Sequence, residues 1–200
     1  AAGEDAASVY RFTNPAGTYA ISVRLIKDGS DGHTPKQLET IGDNTYKTIY
    51  MGGRQWMAEN LRHNAGPGTY PPGTGTNGQE TNADQAEEYG RLYDFDARVA
   101  LLRVITDWEV PSDTDWFALE RAVAKPDILT TADLSIGDLS SHGQDTPRLD
   151  PYGKRLKVTG GTIANGGTPS TSGLNFPLAG YRYRGSMRNF QNQALVWVKE

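Results

Sequence analysis

Long stretches that hold almost nothing able to enter a hydrophobic core divide this chain into short pieces. Residues 64–82, NAGPGTYPPGTGTNGQETN, are one such stretch, and residues 137–151 and 159–175 are two more. Their glycine, proline and small polar residues favour turns and loops. Loops of this length inside a compact domain are usually functional or disordered. The 200 residues are therefore expected to form one domain of short strands and helices, with an appendage.

Composition excludes several partners and chemistries. The chain has 20 Lys and Arg against 24 Asp and Glu, a net charge of −4, and its basic residues show no footprint for nucleic acid or an anionic membrane. Cysteine is absent, which excludes disulfides, thiolate metal sites and thiol catalysis. No apolar run approaches the ~20 residues that a membrane span needs. We expect neither a nucleic-acid partner nor a membrane span.

Two hairpins are predicted in the first third of the chain. Residues 8–14 and 18–27 flank Pro15-Ala16-Gly17, and apolar Ile21, Val23 and Leu25 alternate with Ser22 and Arg24 in the second strand. Residues 28–35 contain nothing that can pack and are interpreted as a linker. The chain is therefore divided into residues 1–35, a β-hairpin and linker, and a main domain over residues 36–200. Residues 46–51 and 54–58 form the second hairpin, around Gly52-Gly53.

Two helices are predicted in the middle of the chain. In the first, which begins near Arg91, an apolar stripe recurs every three or four residues: Leu92, Phe95, Val99 and Leu102. The second begins at Ser112, an N-cap that forms a capping-box-like pair with Asp115. Trp116, Leu119 and Val123 recur on its inner face, and we expect both Trp108 and Trp116 to be core residues. Catalytic use of the aspartates is the alternative, but capping accounts for all of them.

Five blocks then occur in an order seen in one known family. They are QWMAENL (55–61), YGRLY (89–93), WEVPSDTDW (108–116) with Leu119-Glu120, GKRLK (153–157) and SGLNFPLAGYR (172–182). Over roughly residues 40–182 the chain resembles the Fibrobacter succinogenes major paralogous domain. The resemblance implies an α+β, C-type lectin-like fold with two helices, short antiparallel strands and long loops, in proteins that are secreted or lipid-anchored at bacterial surfaces. The N-terminal hairpin resembles the last hairpin of a polycystic-kidney-disease-type or immunoglobulin-like β-sandwich.

The chain departs from the family pattern at two places. A Cys-Pro-x-Gly segment commonly precedes the Trp108 position, where this chain has residues 103–107, RVITD. Members also continue with further strands beyond the Gly180 block, so we expect the domain to lack its last strands. Residues 194–200, ALVWVKE, are predicted to be a strand that is apolar on both faces. Such a strand needs neighbours, from its own chain near residues 46–51 or from another molecule.

The residues give little support to catalysis. Copper-dependent formylglycine-generating oxidases, which share the implied fold, hold their metal with cysteines. His33, His63 and His142 lie in apparent loops without the spacing of a metal site or a catalytic triad. The calcium-binding motifs of sugar-binding C-type lectins, Glu-Pro-Asn or Gln-Pro-Asp with Trp-Asn-Asp, do not occur. We expect no enzyme activity, no metal and no cofactor.

Ligand binding is the predicted function. Tyr181 and Tyr183 alternate with Arg182 and Arg184, which predicts one aromatic and one cationic face, although Tyr181 is expected to face the core. The candidate ligand-binding residues follow this run, where related folds display variable loops. They are Arg184, Met187, Arg188, Asn189, Phe190 and Asn192.

The expected protein is a non-catalytic adhesion module, extracellular or on the outer cell surface, for a glycan or a protein ligand. The alternative is a structural subunit of a surface fibre or pilus that self-associates through its C-terminal strand. A glycan-active enzyme is the lower alternative.

Overall fold

A computed structural model describes residues 18–29, 37–73, 83–124, 156, 172–191 and 193–199. These residues form two antiparallel sheets and three helices, an α+β arrangement. The elements are β1 (Tyr19–Ser22), β2 (Ile26–Lys27), β3 (Gln37–Ile41), β4 (Asn44–Met51), β5 (Arg54–Met57), β6 (Thr69–Tyr70), α1 (Ala83–Tyr89), β7 (Leu92–Tyr93), α2 (Phe95–Val104), α3 (Asp113–Ala124), β8 (Tyr181–Tyr183) and β9 (Ser186–Arg188).

The first sheet joins distant parts of the chain around β1. Its strand order is β6-β7-β1-β8-β9. Strand β1 pairs with β7 through Ile21 and Tyr93, and with β8 through Tyr19 and Tyr183. The central strand of this sheet therefore comes from the N-terminal segment, whereas its last two strands come from the C-terminal part of the chain.

The second sheet has the order β2-β5-β4-β3. The β4–β5 hairpin turns at Gly52 and Gly53, whose φ angles are 61° and 86°, which confirms the predicted hairpin. A Cβ atom on Gly52 would lie 2.8 Å from the backbone carbonyl of Ala118 in α3, so this position requires glycine. Strand β3 was not predicted, and it joins β4 through a turn that begins at Gly42.

Helix α3 and both predicted core tryptophans confirm the sequence prediction. The Ser112 amide donates to the Asp115 carboxylate at 2.8 Å, and the Asp115 amide donates to the Ser112 hydroxyl at 3.2 Å. Trp108 is 6% exposed and Trp116 is 7% exposed. Trp116 packs edge-on against Trp56 with 5.1 Å between ring centroids, so α3 closes one face of the second sheet.

The other predicted helix begins later than its apolar stripe indicated. Leu92 belongs to β7, and the Asp94 side chain caps α2 by accepting from the Ala97 amide at 2.9 Å. The buried face of α2 carries Ala97 and Leu101, whereas Phe95 is 38% exposed. The predicted stripe was therefore wrong, because a strand and a cap occupy its first turn. Helix α1 was not predicted at all.

Residues 18–27 do not form a unit of their own. Ile21, Val23 and Leu25 are buried in one core cluster with Tyr93 and Trp108 of the main domain. The division at residue 35 is thus corrected for these residues, since their apolar side chains have no separate core. The predicted first strand, residues 8–14, and most of the linker lie outside the described residues.

The C-terminal segment pairs within its own chain, but not near residues 46–51 as expected. The Ser22 amide donates to the Leu195 carbonyl at 3.1 Å, and the Trp197 amide donates to the Ser22 carbonyl at 3.0 Å. The Lys199 amide donates to the Pro111 carbonyl at 2.9 Å. Trp197 is buried, and its indole donates to the Tyr93 carbonyl at 2.8 Å. Residues 195–199 thus bond to their own chain, and Trp197 belongs to the core.

Candidate functional site

The β8–β9 hairpin ends in a turn whose backbone conformation is unusual for its sequence. Tyr183 pairs with Ser186, so Arg184 and Gly185 form a two-residue turn with φ angles of 47° and 84°. Positive φ at both central residues is the conformation that favours Asn-Gly. An arginine at its first position is disfavoured by backbone sterics. Arg184 therefore occupies a place where local stability alone would select another residue.

Backbone strain is concentrated around this hairpin. Among the described residues, four non-glycine residues have positive φ, and three of them are Arg184, Asn189 (50°) and Gln191 (62°). Such conformations cost of order 1–3 kcal/mol each and cluster at functional sites. The hairpin and the residues that follow it are therefore the candidate site.

Three tyrosines form a partly exposed aromatic surface at the base of this hairpin. Tyr19 of β1 lies 4.8 Å from Tyr183 and 5.6 Å from Tyr181 between ring centroids, with interplanar angles of 39° and 35°. All three side chains are partly exposed. Tyr19 and Tyr181 also pack against the main core cluster. We name the three residues the tyrosine ledge.

Arginines border the ledge, in an arrangement that differs from the predicted one. Arg188 is the cross-strand partner of Tyr181, so its side chain belongs to the face of the sheet that carries the ledge. The Arg184 guanidinium lies 5.2 Å from the Tyr183 ring centroid. Arg182 lies on the opposite face, 3.9 Å above the Tyr70 ring. The aromatic face is thus also cationic, which corrects the predicted separation.

Some of the remaining candidate residues pack against the core, and another is exposed. Met187 and Phe190 are partly buried and pack against the cluster of Ala20, Tyr89, Leu92 and Ala179. The rings of Phe190 and Tyr89 lie 4.8 Å apart. Asn189 is exposed, and its amide donates to the Gln193 side chain at 2.8 Å. Asn192 lies outside the described residues. A ligand-binding role for any of the six stays a prediction.

The family of the chain follows from a comparison with known proteins. A model of the Fibrobacter succinogenes major domain matches residues 49–200. The chain belongs to this family. The comparisons with curated proteins and with solved structures gave no match.

Residues before the matched Fibrobacter succinogenes major domain complete its structure. Arg24 precedes the match and is 0% exposed, although it alternates with the apolar Val23 and Leu25 in the sequence. Its guanidinium donates to the Asn60 side chain at 2.8 Å and to the Asn175 carbonyl at 2.7 Å, and it also donates to the Leu174 carbonyl. It lies 3.6 Å from the Phe176 ring centroid. Arg24 therefore fixes the segment from which β8 follows.

The sequence analysis did not predict that Arg24 is buried and hydrogen-bonded, because only the segments that contain its partners belong to recognised sequence blocks. Asn60 belongs to the QWMAENL block, and Leu174, Asn175 and Phe176 belong to the SGLNFPLAGYR block. The Asn60 side chain could have been interpreted as a partner for a buried charge, whereas the backbone carbonyls of Leu174 and Asn175 leave no signal in the sequence. Burial lowers the pKa of Arg24 to about 9, an effect opposed by the Glu59 carboxylate, so the guanidinium is protonated at neutral pH.

The described part of this family member offers neither a cluster of metal ligands nor a membrane-spanning helix. Within it, no three His, Asp or Glu side chains come close enough together to hold a metal ion. No described helix is long and apolar enough to cross a membrane. Of the three histidines only His63 is described, and its ring lies next to Gly42.

Proposed function

We propose that this family member is a non-catalytic ligand-binding or adhesion module with a C-type lectin-like fold. We propose further that it is secreted or displayed at the bacterial surface, and that the β8–β9 hairpin beside the tyrosine ledge, which we name the ledge hairpin, binds its ligand. The observation that supports this function is Arg184 in a strained turn beside the tyrosine ledge. Arg184 is exposed and lies beside the Tyr183 ring, and strained residues of this kind cluster at ligand-binding sites.

The chemistry of the ledge suits recognition. Tyrosines offer rigid apolar rings at low entropic cost, with a hydroxyl for hydrogen bonding, and arginines offer a planar set of donors. Tyr19, Tyr181 and Tyr183 present such rings side by side, and Arg184 and Arg188 border them. A pyranose ring or an extended peptide of a partner fits a surface of this kind.

The same surface offers little for catalysis. Residues 172–199 contain no Asp, Glu, His or Cys. A glycosidase needs two carboxyl groups on either side of the scissile bond, and most general acid–base steps use a carboxylate or a histidine. Binding is therefore the better proposal for the ledge than glycan cleavage.

Assembly through the C-terminal segment has less support. The backbone groups of Leu195, Trp197 and Lys199 that would pair with another molecule already bond to Ser22 and Pro111 of the same chain. Strand addition through these backbone groups would first have to break those bonds.

A glycan array with two matched variants tests the proposal. Tyr183→Ala removes a ring from the ledge, whereas Tyr50→Ala removes a partly exposed tyrosine from β4 in the other sheet. We expect the wild-type chain to bind a subset of the glycans, Tyr183→Ala to weaken that binding about tenfold or more, and Tyr50→Ala to retain it. Wild-type chain that binds nothing on the array, or a Tyr183→Ala variant that binds as wild type does, would contradict glycan binding at the ledge. Antibody labelling of intact source cells tests surface display, and labelling only after lysis would contradict it.

A further inference from the structure

We infer that the ligand of the ledge hairpin is an acidic polysaccharide, one that carries carboxylate or sulfate groups along its length. This inference rests on the proposed function, because it assigns the chemical class of the ligand at the same site. Two observations support it: the distribution of charge along the chain, and the side chains that contact the arginines of the hairpin.

Charge is strongly segregated in the sequence. No Asp or Glu occurs between Asp150 and Glu200, so this stretch contains none of the 24 acidic residues of the chain. The part of it that forms the site carries Arg182, Arg184 and Arg188. A chain with a net charge of −4 thus concentrates positive charge on one hairpin. Such a local reversal of sign attracts an anionic ligand to that hairpin.

The arginines of the hairpin also lack carboxylate partners in the described chain, unlike Arg54 and Arg62. Arg54 forms ion pairs with Asp28, Glu109 and Asp115. Arg62 forms ion pairs with Glu59 and Glu87. In contrast, the three hairpin arginines form no ion pair, as far as the structure describes the chain.

The hairpin arginines instead contact aromatic rings or solvent. Arg182 lies over Tyr70, Arg184 lies beside Tyr183, and Arg188 is exposed. Guanidinium groups bind carboxylate and sulfate oxygens through paired N–H donors, and these donors are available on Arg184 and Arg188.

A polysaccharide fits this surface better than other polyanions do. The partly exposed rings of Tyr181 and Tyr183 offer an apolar surface for a pyranose ring, while Arg184 and Arg188 lie within reach of a charged substituent on that ring. Nucleic-acid binding needs many phosphate contacts, and a chain that is acidic overall repels such a polymer outside one small patch. One charged sugar unit of an acidic polysaccharide, in contrast, could bind at the ledge and its bordering arginines alone.

Polymers that differ only in charge provide the first test. Affinity electrophoresis would compare polygalacturonate with fully methyl-esterified polygalacturonate, and dextran sulfate with dextran. We expect at least one acidic polymer to bind about tenfold or more tightly than its neutral counterpart. Raising the salt from about 50 mM to about 500 mM should weaken that binding, because exposed charges are screened.

Charge-removing variants locate the interaction. Arg184→Gln combined with Arg188→Gln should weaken acidic-polymer binding about tenfold or more, whereas Arg184→Lys with Arg188→Lys should retain part of it. Arg103→Gln combined with Arg121→Gln removes two exposed charges from α2 and α3 and is the matched control. We expect the control to bind as wild type does.

Each contrary result overturns the inference in a recognisable way. Equal binding of each neutral and acidic polymer overturns the charge assignment and leaves glycan binding at the ledge intact. Equal binding of poly-glutamate or a single-stranded oligonucleotide overturns the assignment to a polysaccharide. If the chain binds none of the acidic polymers, the inference is overturned whatever the glycan array shows. If it also binds nothing on the glycan array, the proposed function is overturned too. A double glutamine variant that binds as wild type does shows that the acidic polymer binds elsewhere.

Discussion

Replacing the buried Arg24 by methionine tests how the ledge hairpin is held in place. Arg24 joins β1 and β2 to Asn60 and to the 174–176 segment that leads into β8. Methionine has an unbranched side chain of similar length but neither the charge nor the donors. The substitution therefore separates packing at this position from hydrogen bonding.

Two opposing effects set the magnitude. Removing the guanidinium relieves the cost of burying a charge, which stabilises the variant. It also removes the donor of two buried acceptors, the Asn60 side-chain oxygen and the Leu174 carbonyl, and weakens the bonding of the partly buried Asn175 carbonyl. Each buried acceptor that loses its donor costs about 1–3 kcal/mol. These orphaned acceptors outweigh the relieved charge, as they do when one partner of a buried charged network is removed. We expect the free energy of unfolding to fall by about 3 kcal/mol.

Urea unfolding at pH 7, followed by tryptophan fluorescence, measures this change. Arg103→Met, on the exposed side of α2, should change the free energy of unfolding by less than about 0.5 kcal/mol. Asn60→Ala combined with Arg24→Met should be non-additive, since both groups belong to one network. An Arg24→Met variant as stable as wild type would refute the reasoning, because it would show that the guanidinium costs as much as its hydrogen bonds contribute.

Three further predictions concern stability. Trp116→Ala should lower the free energy of unfolding by about 3–5 kcal/mol, since the indole is buried between Trp56 and Phe176; a fully stable variant in urea unfolding would contradict this. Burial raises the pKa of Tyr46 to about 12, so the folded chain keeps a proton that the unfolded chain loses from pH ~10 upward. Stability should therefore fall as the pH rises from about 10 to about 12, and Tyr46→Phe should show a shallower fall in alkaline unfolding curves. Excess chelator should leave the melting temperature unchanged, and a drop that calcium restores would favour a calcium-dependent lectin.

Local signals in the sequence were sufficient where one residue fixes the backbone. Ser112 with Asp115 predicted the start of α3, and Gly52-Gly53 predicted the β4–β5 turn, because caps and positive φ angles depend on neighbouring residues alone. Trp116 was placed correctly because its helix phase agrees with that of Leu119. The same kind of signal was available and overlooked at Gly42, which begins the turn between β3 and β4.

Tertiary context decided the elements that were predicted wrongly. Alternation along residues 19–26 indicates which side chains share a face, but not that a second layer covers the other face. Distant segments cover both faces of this stretch, so Ser22 and Arg24 are as buried as Ile21. In α2, the spacing of Leu92 and Phe95 suited a helix, while pairing of Leu92 with β1 assigned it to a strand.

The sequence indicated the hairpin of the candidate site but not its aromatic component, because the position of Tyr19 depends on sheet register. Nothing in the sequence brings Tyr19 to Tyr183, since that contact requires β1 to lie between β7 and β8. The pairing of β8 with β9 places Arg188 beside Tyr181. Hairpin pairing is local and could have been worked out from the turn at Arg184-Gly185. Pairing across more than 150 residues could not.

Gly180, which directly precedes β8, allows a close backbone contact at the base of the β8–β9 hairpin. Its φ angle is 66°, and a Cβ atom there would lie 2.4 Å from the Arg188 carbonyl oxygen and 2.8 Å from the Phe190 amide nitrogen. This close approach fixes the backbone of residues 188–190 whatever side chains the hairpin carries, and Met187 and Phe190 anchor its other face. The side chains of Arg184 and Arg188 are exposed and take no part in that packing. The scaffold therefore constrains the residues around the proposed binding surface and places no constraint on the charge displayed there.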